Sequence, residues 1–224
     1  MLLASTLAVM LGLGAQVTAT TKNDSKGCDF SGIDVDPFMT RILALLPSNY
    51  SIKPADFRPF IPGLEIGSLR LSGFDKILRY GPLVPYCVDG RHMVQVDLIN
   101  NGDVSMISRW KSCSGREGDI RFRNSFSRFT VQFHVLTHPT VRAFSFDFED
   151  AVVPVSSGYP YLVIEGAGEG VSTASRWLSK IFPAEVTKVW TDNFRTHFAS
   201  ALREAVRAIF SGGPRPVLYY ERLH

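Results

Sequence analysis

Apolar residues recur at three- and four-residue steps through residues 183–210. Val186, Val189, Trp190, Phe194, His197, Phe198, Ala201, Leu202, Ala205, Val206 and Ile209 share one broad face. Pro183 opens this stretch where a missing N–H costs nothing, and Ser211-Gly212-Gly213-Pro214 closes it. The spacing predicts a helix about 42 Å long at the helical rise. A helix of that length needs an extended partner to cover its apolar face.

The preceding hundred residues supply a different period. Leu64, Ile66, Leu69 and Leu71 predict a strand, or two short ones, around Gly67, followed by short extended runs at 77–80 and 84–88. Val94, Val96 and Leu98 then share one face of a strand over 91–100. Val104, Met106 and Trp110 resume the alternation after Asn101-Gly102, which predicts a tight hairpin between the two runs. Ile120 and Phe122, then Phe129, Val131, Phe133 and Val135, then Phe144, Phe146 and Phe148 give further stripes, and 159–165 is a last extended run. One apolar side per strand means an antiparallel sheet with one face to bury. A short helix over 36–46, with Asp36 as N-cap and Pro37 at its first position, precedes these strands. A second over 172–182, in which Trp177, Leu178, Ile181 and Phe182 cluster, is expected to support the terminal helix. Strands followed by helices predict an α+β fold in which the apolar face of the antiparallel sheet covers the long C-terminal α-helix.

Composition fits this picture. Of 224 residues, 45% are hydrophobic and 20% charged, enough for one well-filled domain. Residues 1–13 are apolar and lack acids, and Val17-Thr18-Ala19 resembles a cleavage site. A signal peptide over 1–19 is therefore expected, then an N-terminal segment over 20–35, one domain over 36–213 and a tail over 214–224. The apolar core of the leader is too short to span a bilayer. Secretion agrees with acceptor sequons at Asn23 and Asn49 and makes a disulfide among Cys28, Cys87 and Cys113 reasonable. Cys87 and Cys113 bracket the predicted hairpin and are the expected pair; Cys28 is then left free or links two chains, and the other pairings stay open.

Chemistry-bearing motifs are weak. The Gly-rich run 166–170 lacks the spacing of a dinucleotide loop and the Lys-Ser/Thr of a phosphate loop. His134 and His138 lie on a strand and turn, where four-residue spacing does not align them. There is no CxxC and no G-x-S-x-G elbow, so neither a metal, a cofactor nor a catalytic residue is expected. Arg109, Lys111, Arg116, Arg121, Arg123, Arg128 and Arg142 make the middle of the chain basic, but the alternation Arg121-Phe122-Arg123 is what a solvated face opposite a buried one produces. A net charge of +3 demands no anionic partner, and no nucleic-acid binding is expected.

The order of elements resembles one unit of the tubular lipid-binding superfamily, which includes the arthropod takeout and juvenile-hormone-binding proteins and the mite group-7 allergens. The resemblance runs through Phe60-Ile61-Pro62-Gly63-Leu64, Leu71-Ser72-Gly73-Phe74, Tyr80-Gly81-Pro82, the Asn100-Asn101-Gly102-Asp103 turn with Trp110, and the terminal helix. The mite allergens are the nearest type. The chain has length for one wrapped unit, as a monomer or a homodimer imitating the two-unit relatives. The resemblance implies a strongly curved antiparallel β-sheet wrapped around the long C-terminal α-helix, in a secreted, non-enzymatic protein holding a lipid or other hydrophobic small molecule between Trp190, Phe194, Phe198 and Leu202 of the helix and Val96, Met106, Phe133 and Phe146 of the sheet. The alternative is binding of an anionic membrane, microbial lipid or glycosaminoglycan through Arg121, Arg123 and Arg128.

Overall fold

In the computed structural model, which describes residues 28–52, 56–138 and 143–211, the alternating stretches form strands and every strand pairing is antiparallel. The fold is α+β. Helix α1 (Asp36–Ala44) is followed by β1 (Asn49–Tyr50), β2 (Arg58–Ile61), β3 (Leu64–Ile66), β4 (Arg70–Ser72), β5 (Leu78–Arg79) and β6 (Val84–Val88). The long strands are β7 (Arg91–Asn100), β8 (Ser105–Ser112), β9 (Glu117–Asn124), β10 (Ser127–His138) and β11 (Ala143–Ser157). Strand β12 (Pro160–Ile164), helix α2 (Glu169–Ile181) and helix α3 (Pro183–Ser211) complete the order.

The strands divide between two sheets. One is centred on β8, with β4 and β3 along one edge and β9, then β12, along the other; β1 and β2 extend it through β4 and β3. Strands β3 and β4 are the two pieces expected around Gly67, whose N–H donates to the Arg109 carbonyl at 2.8 Å and whose carbonyl accepts from Ser108 Oγ at 2.6 Å. The other sheet runs β11–β10–β7, with β5 and β6 sharing the outer edge of β7.

The predicted hairpin at Asn101-Gly102 is corrected by this division. Strands β7 and β8 do not pair; the turn carries the chain from one sheet to the other. The reason lies in Asn100, a buried residue whose Oδ1 accepts the N–H groups of Gly102 at 3.0 Å and Val104 at 3.1 Å. Those side-chain bonds replace ladder bonds and turn a corner. A second buried asparagine, Asn124, makes the matching corner between β9 and β10, accepting from the Phe126 N–H at 3.2 Å and donating to Ser157 Oγ at 2.6 Å. Buried polar groups persist here because each has partners.

The β11–β10–β7 sheet turns its apolar stripes toward α3, and Leu71 of β4 and Met106 of β8 join the same buried cluster from the other sheet. Val94, Val96 and Leu98 of β7, Phe129 to Val135 in alternation on β10, and Phe144, Phe146 and Phe148 of β11 join the helix residues in one buried cluster. A register shift between Val131 and Phe133 on β10 brings Phe148 and then Val152 of β11 into that cluster. Helix α1 adds Phe38, whose ring lies 5.0 Å from Phe146 and 5.3 Å from Phe144. Asp36 is not the N-cap: it lies in the first turn of α1 and pairs its carboxylate with Arg79, while Val35 holds the capping position.

The disulfide expectation is also corrected. Cys28 pairs with Cys87, and Cys113 is free and exposed. Cys87 is on β6 and Cys113 follows β8, so the two belong to different sheets. The N-terminal segment instead lies along β6 and β7, where the Asp29 carbonyl is 3.0 Å from His92 Nε2 and the Phe30 ring meets His92 edge-on at 4.9 Å. Asn49 is exposed on β1; the leader, Asn23, Arg142 and the tail after residue 211 lie outside the described residues.

Candidate functional site

The aromatic residues of α3 are set by its period. Trp190, Phe194 and Phe198 are four apart and stack along the helix, with ring centroids 5.8 and 5.5 Å apart. Phe74 meets Phe194 and Phe198 edge-on from one side at 6.0 and 5.4 Å; Phe129 meets the same pair edge-on at 5.1 and 4.9 Å. Such edge-to-face packing is the favoured arrangement of aromatic quadrupoles. Phe198, Leu202, Val96, Met106 and Phe133 are fully buried, and Phe146 nearly so. These six expected ligand contacts therefore lie within the packed cluster.

Trp190 and Phe194 differ from the rest because they also border a crevice between α3 and β11. It is narrow, about 20 Å³, and is lined by Phe129, Val152, Pro154 and Arg195 as well. Val152 and Arg195 are shared with a groove of about 330 Å³, which continues along Asp192, Thr196 and Ala199 to the surface. The two openings adjoin along the seam between the long helix and β11, the crevice largely apolar and the groove more polar. Among the described residues that strand is an edge of its sheet and pairs with β10 alone.

One turn further along α3, His197 is buried, and its Nδ1–H donates to the Asn193 carbonyl at 2.8 Å. Burial pushes its pKa below the ordinary 6.5, against a smaller opposing effect of that hydrogen bond. Tyr50, edge-on to His197, donates its hydroxyl to Glu204 at 2.8 Å; burial, then the Glu204 carboxylate, pushes it up to about 12. A histidine whose folded pKa is depressed stabilises the fold fully above its unfolded pKa, and that contribution is lost as pH falls. The melting temperature is therefore expected to fall as pH drops below 6.5, and His197→Gln is expected to flatten the slope between about pH 8 and pH 5 in thermal scans. An unchanged slope in the variant would remove His197 from the acid response.

The basic strands are largely occupied by acids. Arg109 pairs with Glu117 at 3.2 Å, Lys111 with Glu65 at 2.7 Å, and Arg121 with Glu165 at 3.4 Å and Asp119 at 3.6 Å. Arg128 pairs with Asp97 and lies over the Tyr80 ring at 4.5 Å. Burial raises the Asp97 pKa, but hydrogen bonds from Thr130 and Arg128 outweigh it and hold the carboxyl below its ordinary value. Arg123 is exposed and makes no ion pair among the described residues.

Helix α2 departs most from expectation. Trp177, Leu178, Ile181 and Phe182 were expected to support the terminal helix, yet all four face solvent. The buried residues of α2 are Ser175 and Ser179. Their hydroxyls accept the Ile164 N–H at 3.1 Å and the Leu162 N–H at 2.7 Å, the outward amides of edge strand β12. An unpaired sheet edge is a liability, and here a helix covers it with hydroxyls in place of another strand. The legible signal was the spacing of Ser172, Ser175 and Ser179, which marks a polar stripe beside an edge strand. A cleft of about 780 Å³ opens at this junction, lined by Tyr159, Tyr161, Arg176, Ser179 and Lys180 together with Pro160 and Pro183.

No family model matches the chain, and no curated relative matches it. Among the described residues no group of three His, Cys, Asp or Glu side chains is placed to hold a metal ion, and no helix is long and apolar enough to cross a membrane.

Proposed function

We propose that this is a secreted, non-enzymatic lipid-binding protein that takes a long apolar chain into the seam between α3 and β11. The observation that carries the reading is the crevice at Trp190 and Phe194, which shares Val152 and Arg195 with the surface groove at Thr196 and Ala199. Among the described residues strand β11 has one hydrogen-bonded neighbour, so it can part from the helix without breaking a described ladder on its other side. A chain of a dozen carbons gains on the order of 10 kcal/mol from burial at about 0.8 kcal/mol per methylene, before ordering and the displaced ring contacts are offset. The resemblance to the tubular lipid-binding proteins supports the same reading. The Cys28–Cys87 disulfide suits an oxidising compartment, in keeping with the expected leader.

Native mass spectrometry of protein purified without organic solvent tests it. A co-purifying lipid mass, and displacement of a fluorescent fatty acid by unlabelled lipid, are the expected results; protein free of lipid that also fails to take up the probe would overturn the proposal.

A further inference from the structure

We infer that α2 is a docking helix that lays its outward apolar ridge into the interface of an anionic lipid bilayer. Trp177 is 58% exposed and Ile181 63%, four apart on one face of the C-terminal half of the helix, with exposed Leu178 beside them and Phe182, 54% exposed, at the C-cap. This ridge cannot turn inward. Ser175 and Ser179, on the side of the helix away from Trp177 and Ile181, hold the amides of β12, so rotating the helix would leave that buried edge unsatisfied.

The surroundings of the ridge select the occupant. The cleft beside it contains two cations, Arg176 and Lys180, and no acid among its lining residues. Lys180 Nζ lies 4.7 Å over the Trp177 ring, an arrangement that lets the ammonium reach outward while its stem covers apolar surface. Arg123 stands opposite Tyr161 in the β9–β12 register, which puts a third cation on the same side of the sheet as that ring. Tyr159 and Tyr161 add amphipathic rings, the side chains that prefer the headgroup level. A convex apolar ridge with tryptophan and tyrosine at its border and cations alongside matches a surface-lying membrane helix. Phosphate-bearing headgroups then meet Arg176 and Lys180, and the acyl boundary receives Trp177, Ile181 and Phe182.

This surface is separate from the α3–β11 seam, and the inference stands whether or not the seam holds a ligand. Tryptophan emission tests it cleanly, because the chain has three tryptophans and both Trp110 and Trp190 are buried. Full-chain protein mixed with phosphatidylcholine vesicles containing phosphatidylserine is expected to float with them, with emission shifted to the blue and quenched by brominated acyl chains. The combined change Trp177→Ser, Ile181→Ser, Phe182→Ser alters only exposed side chains and is expected to keep the circular dichroism and abolish flotation. Arg176→Gln with Lys180→Gln is expected to weaken binding about thirtyfold and to reduce the preference for phosphatidylserine. Emission that does not move, or equal flotation of the triple-serine variant, would overturn the inference. So would a dimer that the triple change converts to monomer while vesicles stay unbound, which would assign the ridge to a second copy of the chain. Vesicle binding that fails while the fatty-acid probe is still taken up removes the docking helix alone; the reverse removes the seam.

Discussion

Phe198→Ala is expected to cost the fold about 3–5 kcal/mol, a large share of the roughly 5–15 kcal/mol that holds a domain of ordinary stability together. The ring is fully buried, stacked on Phe194 and met edge-on by Phe74 and Phe129. Those three neighbours sit on a helix, a 3-10 turn and a strand, which limits how far they can collapse into the space left behind. Phe198→Asp goes further, since a buried charge without a partner is expected to prevent folding altogether. Urea unfolding measures the alanine variant, with Val189→Ser, at a residue expected on the apolar face but exposed in the structure, as a control expected to stay within about 0.5 kcal/mol. A loss below about 1 kcal/mol for Phe198→Ala would mean that the ring borders open space and not a filled core.

The second large effect concerns the disulfide. Cys28 and Cys87 are separated by 59 residues, and closing a loop of that size removes entropy from the unfolded chain equivalent to about 4 kcal/mol. Cys28→Ser and Cys87→Ser are each expected to lower stability by about 2–4 kcal/mol and to make it insensitive to reductant. Cys113→Ser, at an exposed free thiol, is expected to leave stability and its response to reductant unchanged. Equal losses from Cys113→Ser would contradict the pairing.

The long helix and the main strands were legible because their periods are strong and local. Val94 to Leu98, Phe129 to Val135 and Phe144 to Phe148 alternate, Trp190 to Ile209 follows the helical step, and burial obeys both patterns. Partner choice was less legible. Asn101-Gly102 carries the residues of a tight hairpin, but what decides its path is the side chain of Asn100, whose bonds to Gly102 and Val104 turn the chain into the other sheet. Strand β2 was hidden by Pro59, and the second half of β11 by Pro154; both strands lie at sheet edges, where a missing N–H is tolerated. The cysteine pairing failed for the same reason as the hairpin, since it assumed that neighbours in sequence were neighbours in one sheet.

The candidate site divides in a similar way. Apolar residues were read as interior, which holds for the eight expected ligand contacts, of which Trp190 and Phe194 also border a crevice. It fails for α2, where the need of β12 for hydrogen-bond acceptors outweighs the cost of exposing Trp177, Ile181 and Phe182. No periodicity measure on α2 alone distinguishes an inward apolar face from an outward one. The decision rests on the unpaired amides of a neighbouring strand.

The claim that an apolar chain enters between α3 and β11 is tested most directly by filling the mouth of that seam. Ala199 and Thr196 line the groove without belonging to the buried aromatic stack. Titration of a fluorescent fatty acid into the wild-type chain, Ala199→Trp and Thr196→Trp is the measurement. Saturable uptake by the wild type, and its loss in both variants with melting temperatures preserved, is the predicted result. Saturable uptake that both variants retain in full would contradict the account and place the ligand elsewhere.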